Sequence, residues 1–261
     1  MIEHINFHIQ ELDSMKKYPK RLYFKGDTSL LNKKKISIIG SRKPNQYARQ
    51  KTHELAQKLS HHGVCIVSGG AIGIDATAHK AAGASNTIVV AATGIDKRYP
   101  SINATLIGEV EKRGLVLSQF APTSPSTKYN FVLRNELVVA LGEVLIVSYA
   151  DLNSGSMRSV EYAQKMGKKV YVLSHRIGES EATNKLLQEN QAEAIYDIDT
   201  FVKEFSEIHK KQKTEDDFLL FCKSNPTYEE TLSRFPARLF EAELAGEIEI
   251  INAKVYLVIT L

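Results

Sequence analysis

Short apolar runs alternate along the chain with stretches in which apolar residues recur every three or four positions. A continuous run bounded by glycine or polar turns reads as a strand buried on both faces, and the three-to-four spacing reads as an amphipathic helix. The runs are Lys35 to Ile39, Val64 to Ser68, Thr87 to Ala92, Gly114 to Ser118, Val144 to Tyr149 and Lys169 to Leu173. Helical stretches lie between them: Gln46 to His61, an Ala-rich segment from Asp75, Asn103 to Glu111, a segment holding Phe131 to Glu136, and Ser156 to Met166. A last helix–strand–helix passage occupies 183–210.

Strands alternating with helices specify an α/β fold, a Rossmann-like domain with a mainly parallel sheet over residues 35–210. Residues 1–34 are polar and aperiodic; Tyr18-Pro19 and Tyr23 to Gly26 are their apolar anchors, so they read as a leader packed on that domain. Lys211 to Asp217 is a charged linker. In residues 218–261, helical pieces at Phe218 to Phe221, Tyr228 to Leu232 and Leu239 to Leu244 precede a strand-like hairpin at 248–258. That order describes a small winged-helix-like module.

A chain of 261 residues suits one large domain with an appendage. No stretch approaches a membrane span and the polar N-terminus lacks a signal pattern, so a cytoplasmic location is expected. Cys65 and Cys222 supply neither a disulfide framework nor a zinc cluster, and no metal or cofactor is expected. The net charge of +4 is uneven. Residues 211–261 hold 6 Lys/Arg and 9 Asp/Glu, a charge of −3, which leaves 28 against 21, or +7, for residues 1–210. The basic part suits a polyanionic partner. The acidic module suits protein contact better than a duplex groove.

The chemistry gathers where strands end. Ligands of open parallel sheets sit outside the carboxyl ends of the strands, at the point where strand order reverses. Here those ends carry Gly40-Ser41-Arg42, Ser68-Gly69-Gly70, Thr93-Gly94 and Ser154-Gly155-Ser156. Gly69, Gly70 and Gly73 allow a close backbone approach, and a helix N-terminus behind them attracts anions. Several small-residue turns converging on one edge predict an anion site. Asp75 and His79 share a helix face; Asp75 is expected to orient the turn, and His79 to be a partly buried, hydrogen-bonded residue.

These motifs, with Tyr99-Pro100 and Phe131, Arg134 and Asn135 in the same order, resemble the DprA/Smf family, the DNA-processing proteins of natural transformation. The resemblance spans residues 18–200, and the C-terminal module resembles the family's winged-helix appendage. It implies a homodimer that binds and protects single-stranded DNA and loads the recombinase RecA, without catalysis. The C-terminal module is a candidate contact for other competence proteins. The chain departs from the family pattern at Glu136, where an Arg commonly stands, and at Ser174-His175-Arg176, which replaces a Pro-Gly turn. The N-terminal helical domain of many members is absent from this sequence.

Single-strand binding needs cations for phosphates and aromatic faces for bases. Arg42 can fork onto phosphate oxygens, with the N–H groups around Ser41, Gly69 and Gly70 on a second face. Lys128, in the Pro/Ser-rich loop, reaches a neighbouring phosphate and partly offsets Glu136. Phe131 stacks on a base, with Tyr129 and Tyr47 as lesser candidates. Arg134 and Asn135 contact DNA or brace the loop. Asn153, Ser154 and Ser156 serve as further phosphate or pocket-wall groups. Val138 to Leu141 and the helices after residue 156 are candidate dimer surface.

Two enzymatic readings compete. A hydrolase cleaving a base from a ribose phosphate would need a Pro-Gly-Gly-x-Gly-Thr turn and a catalytic Glu; Ser154 to Ser159 with Glu161 is a loose echo. A dinucleotide oxidoreductase is disfavoured, because Gly40 to Pro44 lacks the glycine fingerprint and no acidic residue ends the second strand.

Overall fold

Six of the strands are buried along their whole length: β2 (Lys35–Ile39), β3 (Cys65–Ser68), β4 (Thr87–Val90), β5 (Leu115–Ser118), β6 (Leu145–Val147) and β7 (Val170–Leu173). Their continuous apolar character follows from helices covering both sheet faces. Alternate residues serve opposite faces. Ile36 and Ile38 pack with Leu55, Leu59, Phe201 and Phe205, whereas Ile39 and Val67 pack with Leu137, Leu141 and Val160.

The computed structural model describes residues 2–206, 217–244 and 246–258. The expected linker at 211–217 therefore lies outside the described residues except for its last position. The chain divides into two units, Met1–Glu207 and Ile208–Leu261.

The first unit holds one eight-stranded sheet in the order β1-β5-β4-β3-β2-β6-β7-β8, with β8 at Glu193–Ile195. All neighbours are parallel except β1 on β5. Its helices are α1 (Gln46–His61), α2 (Ile74–Ala82), α3 (Ala104–Arg113), α4 (Lys128–Leu141), α5 (Gly155–Lys165), α6 (Glu181–Gln188) and α7 (Ile198–Phe205). β2 pairs with β3 on one side and with β6 on the other, Ile38 standing opposite Ile146. Strand order reverses there, so a crevice opens at the carboxyl ends of β2, β3 and β6.

The N-terminal segment does more than lie on this domain. Tyr23–Gly26 forms β1, an antiparallel edge strand registered Tyr23 to Ser118. Lys35 Nζ, nearly buried, donates to the Leu31 and Lys33 carbonyls at 2.6 and 2.9 Å and pairs with Glu11 at 2.6 Å. Glu136 accepts the Lys16 N–H at 2.8 Å. The family departure at Glu136 thus ties the leader to α4 and supplies no cation to a site.

Val138 to Leu141 is a second correction. These residues form the last turn of α4, are at most 1% exposed and pack against the sheet, so they offer no surface to a partner copy. The apolar run that suggested an interface is core. No helix among the described residues is long and apolar enough to cross a membrane.

The second unit contains helices Asp217–Cys222, Tyr228–Arg234 and Pro236–Leu244, then an antiparallel hairpin of β9 (Ile248–Ile251) and β10 (Lys254–Leu257). Phe218, Cys222, Leu239, Ala242, Ile248 and Val255 form its core. Thr227 and Glu230 make a capping box that fixes the start of the second helix.

Candidate nucleic-acid interface

The switch-point crevice is a cavity of about 280 Å³. Gly40, Ser41 and Arg42 line it from the β2–α1 turn, Gly69 from the β3–α2 turn, Asp75 from the first turn of α2, Phe131, Arg134 and Asn135 from α4, and Ser154, Gly155 and Ser156 from the start of α5. Three separate turns and one helix meet because each ends or begins beside the same strand reversal.

Gly73 shows why the turns need glycine. Its φ of 84° is costly for any L side chain, and a Cβ there would collide with the Ser41 carbonyl. That carbonyl instead receives the Ile74 N–H at 3.2 Å, fastening the β2–α1 turn to the head of α2. Gly69 leaves room for the Arg134 guanidinium, which occupies the place a Cβ would take. Both glycines therefore permit close approaches within the protein, and Gly69 also lines the cavity.

Arg134 is 4% exposed. Its Nη1 donates to the Gly69 carbonyl and, at 2.9 Å, to the Val90 carbonyl, while Nε donates to Asn135 Oδ1 at 3.2 Å. Of its two expected roles, bracing accounts for its donors: one side chain joins the ends of β3 and β4 to α4. Asp75 lies within its field and accepts the Ala71 N–H at 3.2 Å. Burial pushes the Asp75 carboxyl above the ordinary carboxylate range, against the opposing pull of Arg134. Burial likewise lowers Arg134, with Asp75 pulling the other way and Arg42 adding to the decrease.

Several backbone and hydroxyl donors expected at a phosphate are already committed. Ser41 N–H donates to the Tyr149 carbonyl at 2.8 Å. Ser68 is fully buried and gives its hydroxyl to the Ile38 carbonyl at 2.6 Å. Gly70, at φ 71°, turns its carbonyl to Asn103 Nδ2 at 3.0 Å. The Ser68 hydroxyl is thus committed to the turn, and Gly70 lines neither this cavity nor the smaller one beside it. Buried polar groups take partners, and these took theirs from the fold.

Free donors gather instead at α5. The first-turn N–H groups of Gly155 and Ser156 have no acceptor inside their helix, and the positive dipole end lies there. Ser154 precedes them without capping the helix; its hydroxyl is buried and unpartnered. Arg42 is exposed, with its guanidinium 5.3 Å from the centre of the Phe131 ring. Arg134 approaches the same ring at 5.6 Å, so two cations hold it in place.

A smaller cavity of about 110 Å³ adjoins the first, lined by Arg42, Ala71, Ile72, Tyr99, Pro100 and Phe131. The Tyr99 and Phe131 rings stand 5.9 Å apart. Tyr99 was absent from the expected site; a Tyr-Pro pair after a strand signals a turn, and nothing local says it faces another turn's phenylalanine. Lys128 and Asn153 are exposed and line neither cavity; Lys128 opens α4 rather than standing in the preceding loop. His79 is fully buried, not partly, with Nδ1 2.7 Å from the Thr87 hydroxyl. Cys65 is sealed in β3, where burial pushes its thiol up to about 12. Among the described residues, no group of His, Cys, Asp or Glu side chains could hold a metal ion.

The family model of DNA recombination-mediator protein A matches residues 4–206. The DNA processing protein DprA of Bacillus subtilis is 33% identical over 194 residues, covering 72% of this chain and 65% of that protein. The Streptococcus pneumoniae protein of the same name is 34% identical over 175 residues, covering 66% and 62%. The chain thus spans just under two thirds of these relatives. Among solved structures, DNA processing protein A from Helicobacter pylori, described for its single-stranded DNA binding mode, superposes with a TM-score of 0.76 at 40% identity. That match covers 78% of this chain and 95% of that one. The Streptococcus pneumoniae structure gives 0.73 at 30% identity, covering 78% and 75%. The fold, the switch-point crevice and these matches agree: the chain belongs to the DprA/Smf family of DNA recombination-mediator protein A.

Proposed function

We propose that this chain binds single-stranded DNA without altering it covalently, seating a phosphate in the switch-point cavity and a base in the adjoining aromatic one. The observation that supports this most directly is Arg42. It is an exposed guanidinium, held on the Phe131 ring, at the boundary between a polar cavity and an apolar one. A nucleotide has the same division: an anion that wants forked donors, and a flat face that wants an aromatic ring. The Gly155 and Ser156 N–H groups and the Ser154 hydroxyl supply neutral donors to the phosphate. Phe131 stacks on the base, and Tyr99 closes the slot.

The cavity wall favours retention over catalysis. Its one carboxylate, Asp75, is buried against the Ala71 N–H and braces the turn. In the biological setting that the family resemblance implies, the chain works as a cytoplasmic homodimer on incoming strands during natural transformation, protecting them and passing them to RecA. The acidic C-terminal unit serves protein contacts.

Fluorescence anisotropy with labelled single strands, across a salt series, tests the site. Arg42→Ala should weaken binding on every sequence and reduce the salt slope by about 0.7, the value of one phosphate contact on a single strand. Phe131→Ala should cost about 1–3 kcal/mol of binding, the worth of one stacked base, with the slope unchanged. Wild-type affinity in both variants would overturn the assignment. Failure of the parent protein to bind at low salt, with release of free base from a nucleoside monophosphate, would establish the hydrolase reading instead.

A further inference from the structure

A second groove, of about 520 Å³, lies beyond the β2–α1 turn from the switch-point cavity. Asn45, Gln46 and Tyr47, from the head of α1, form one wall, and Ser174, His175 and Arg176, from the β7–α6 loop, form the other. The second wall is the segment that departs from the family's Pro-Gly turn.

Its aromatic ring is held in place. His175 Nε2 lies 2.7 Å from the Ser148 carbonyl, which can only accept, so Nε2 carries the proton. The imidazole is thereby fixed, and it meets Tyr47 edge-on at 5.6 Å and Tyr149 edge-on at 5.2 Å. Tyr47 nevertheless stays 42% exposed. A ring fixed in orientation and open on one face is what a base needs in order to stack.

The cations follow the same line. Arg42 and Lys43 stand on the turn between the two cavities, and Arg176 stands on the far wall; all three are exposed, and none forms an ion pair among the described residues. Glu179, the one carboxylate on the groove, accepts from Asn45 Nδ2 at 3.2 Å. Arg42 lines the switch-point cavity, and two residues beyond Lys43 the chain reaches Asn45 on the groove.

We propose that this groove takes the next stretch of the same single strand, with Tyr47 stacking on a base and Arg176 and Lys43 following the phosphates. This rests on the reading of the switch-point cavity as a nucleotide site, and it gives the strand a direction across the sheet edge, from β3 over β2 toward β7. An acidic protein would also be drawn to three cations, but it would make no use of a clamped, half-open ring.

Strand length separates the two sites. Oligothymidylates of about 4 and about 16 nucleotides, the limits of single-strand site sizes, are titrated against the full chain and its Tyr47→Ala and Arg176→Ala variants. Both variants should bind the long strand about 10-fold more weakly and the short strand as the parent does, and Arg176→Ala should lower the long-strand salt slope by about 0.7. Tyr47→Phe should restore long-strand affinity, because it keeps the ring. Equal losses on both lengths, or no loss on the long strand, would overturn the groove while leaving the first site standing. If the parent binds neither length, the switch-point reading fails first.

Discussion

Arg134 offers the sharpest test of how this site is built, because bracing and phosphate contact predict different phenotypes. Arg134→Ala removes the donors of two buried carbonyls, Gly69 and Val90. An acceptor left buried without a partner costs about 1–3 kcal/mol. The replacement also leaves Asp75 without the positive charge that favours its ionised form. Breaking a buried charge arrangement from one side costs about 3–5 kcal/mol, and the two orphaned carbonyls alone reach a similar figure. For a unit of this size the loss corresponds to a fall in Tm of about 10 °C. The carboxyl supplies a second readout. With Arg134 gone, the folded-state pKa of Asp75 rises further above its unfolded value, so the stability it contributes is complete below the unfolded pKa and is lost as pH rises. The variant should therefore suffer more at pH 7 than at pH 5, and adding Asp75→Asn should recover part of the loss. Urea unfolding at both pH values measures this. A variant within about 1 kcal/mol of the parent at pH 7 whose single-strand affinity has collapsed would show that Arg134 is a ligand contact and that the bracing argument is wrong.

Other sites make separable predictions. Gly155→Asp places a carboxylate where a Cβ meets nothing within 4 Å; at a helix start it should leave stability unchanged or raise it by about 0.3–1 kcal/mol, yet repel a phosphate, so single-strand binding should fall with Tm intact. Glu136→Ala removes the acceptor of the Lys16 N–H and should cost about 1–3 kcal/mol in unfolding free energy with DNA affinity unaltered. His79 is held neutral by burial, its pKa lowered from 6.5 to about 3. The unfolded chain takes up that proton first as pH falls, so stability is unaffected above 6.5 and declines below it. Between pH 7 and pH 5 the residue should account for about 2 kcal/mol of acid destabilisation, which His79→Gln should abolish if the amide preserves the bond to Thr87.

The sheet was legible because burial on both faces leaves an unmistakable record, and Lys35 to Ile39 appears as a strand with the same limits. β1 was not legible: three half-buried residues and an exposed glycine carry no periodicity, and their pairing with β5 is decided some ninety positions away. The crevice was legible as a convergence of strand ends, and Gly40, Ser41, Arg42, Gly69, Phe131, Arg134, Asn135, Ser154, Gly155 and Ser156 do line it. The division of labour among them was not. Whether a glycine or serine serves a ligand or a neighbouring backbone depends on which carbonyl arrives beside it, as Ile38 does at Ser68 and Ser41 does at Gly73. Tyr47 shows the same limit, since its partner His175 comes from a loop 128 positions away (175 − 47).

The strand reversal at β2 has a consequence for how the protein responds to its ligand. One wall of the crevice comes from residues 39–75 and the other from residues 131–159, and neither half of the chain contains a site by itself. Occupancy is therefore coupled to the joining of the halves: a ligand that binds only the assembled crevice adds RT ln(1 + [L]/Kd) to the free energy of separating them. Amide exchange should slow together in β2, β3 and β6 on addition of a single strand. A protease should nick the 121–127 connection without releasing either half while the strand is bound. The nucleic acid acts, in that sense, as a clasp across the seam of the domain it occupies.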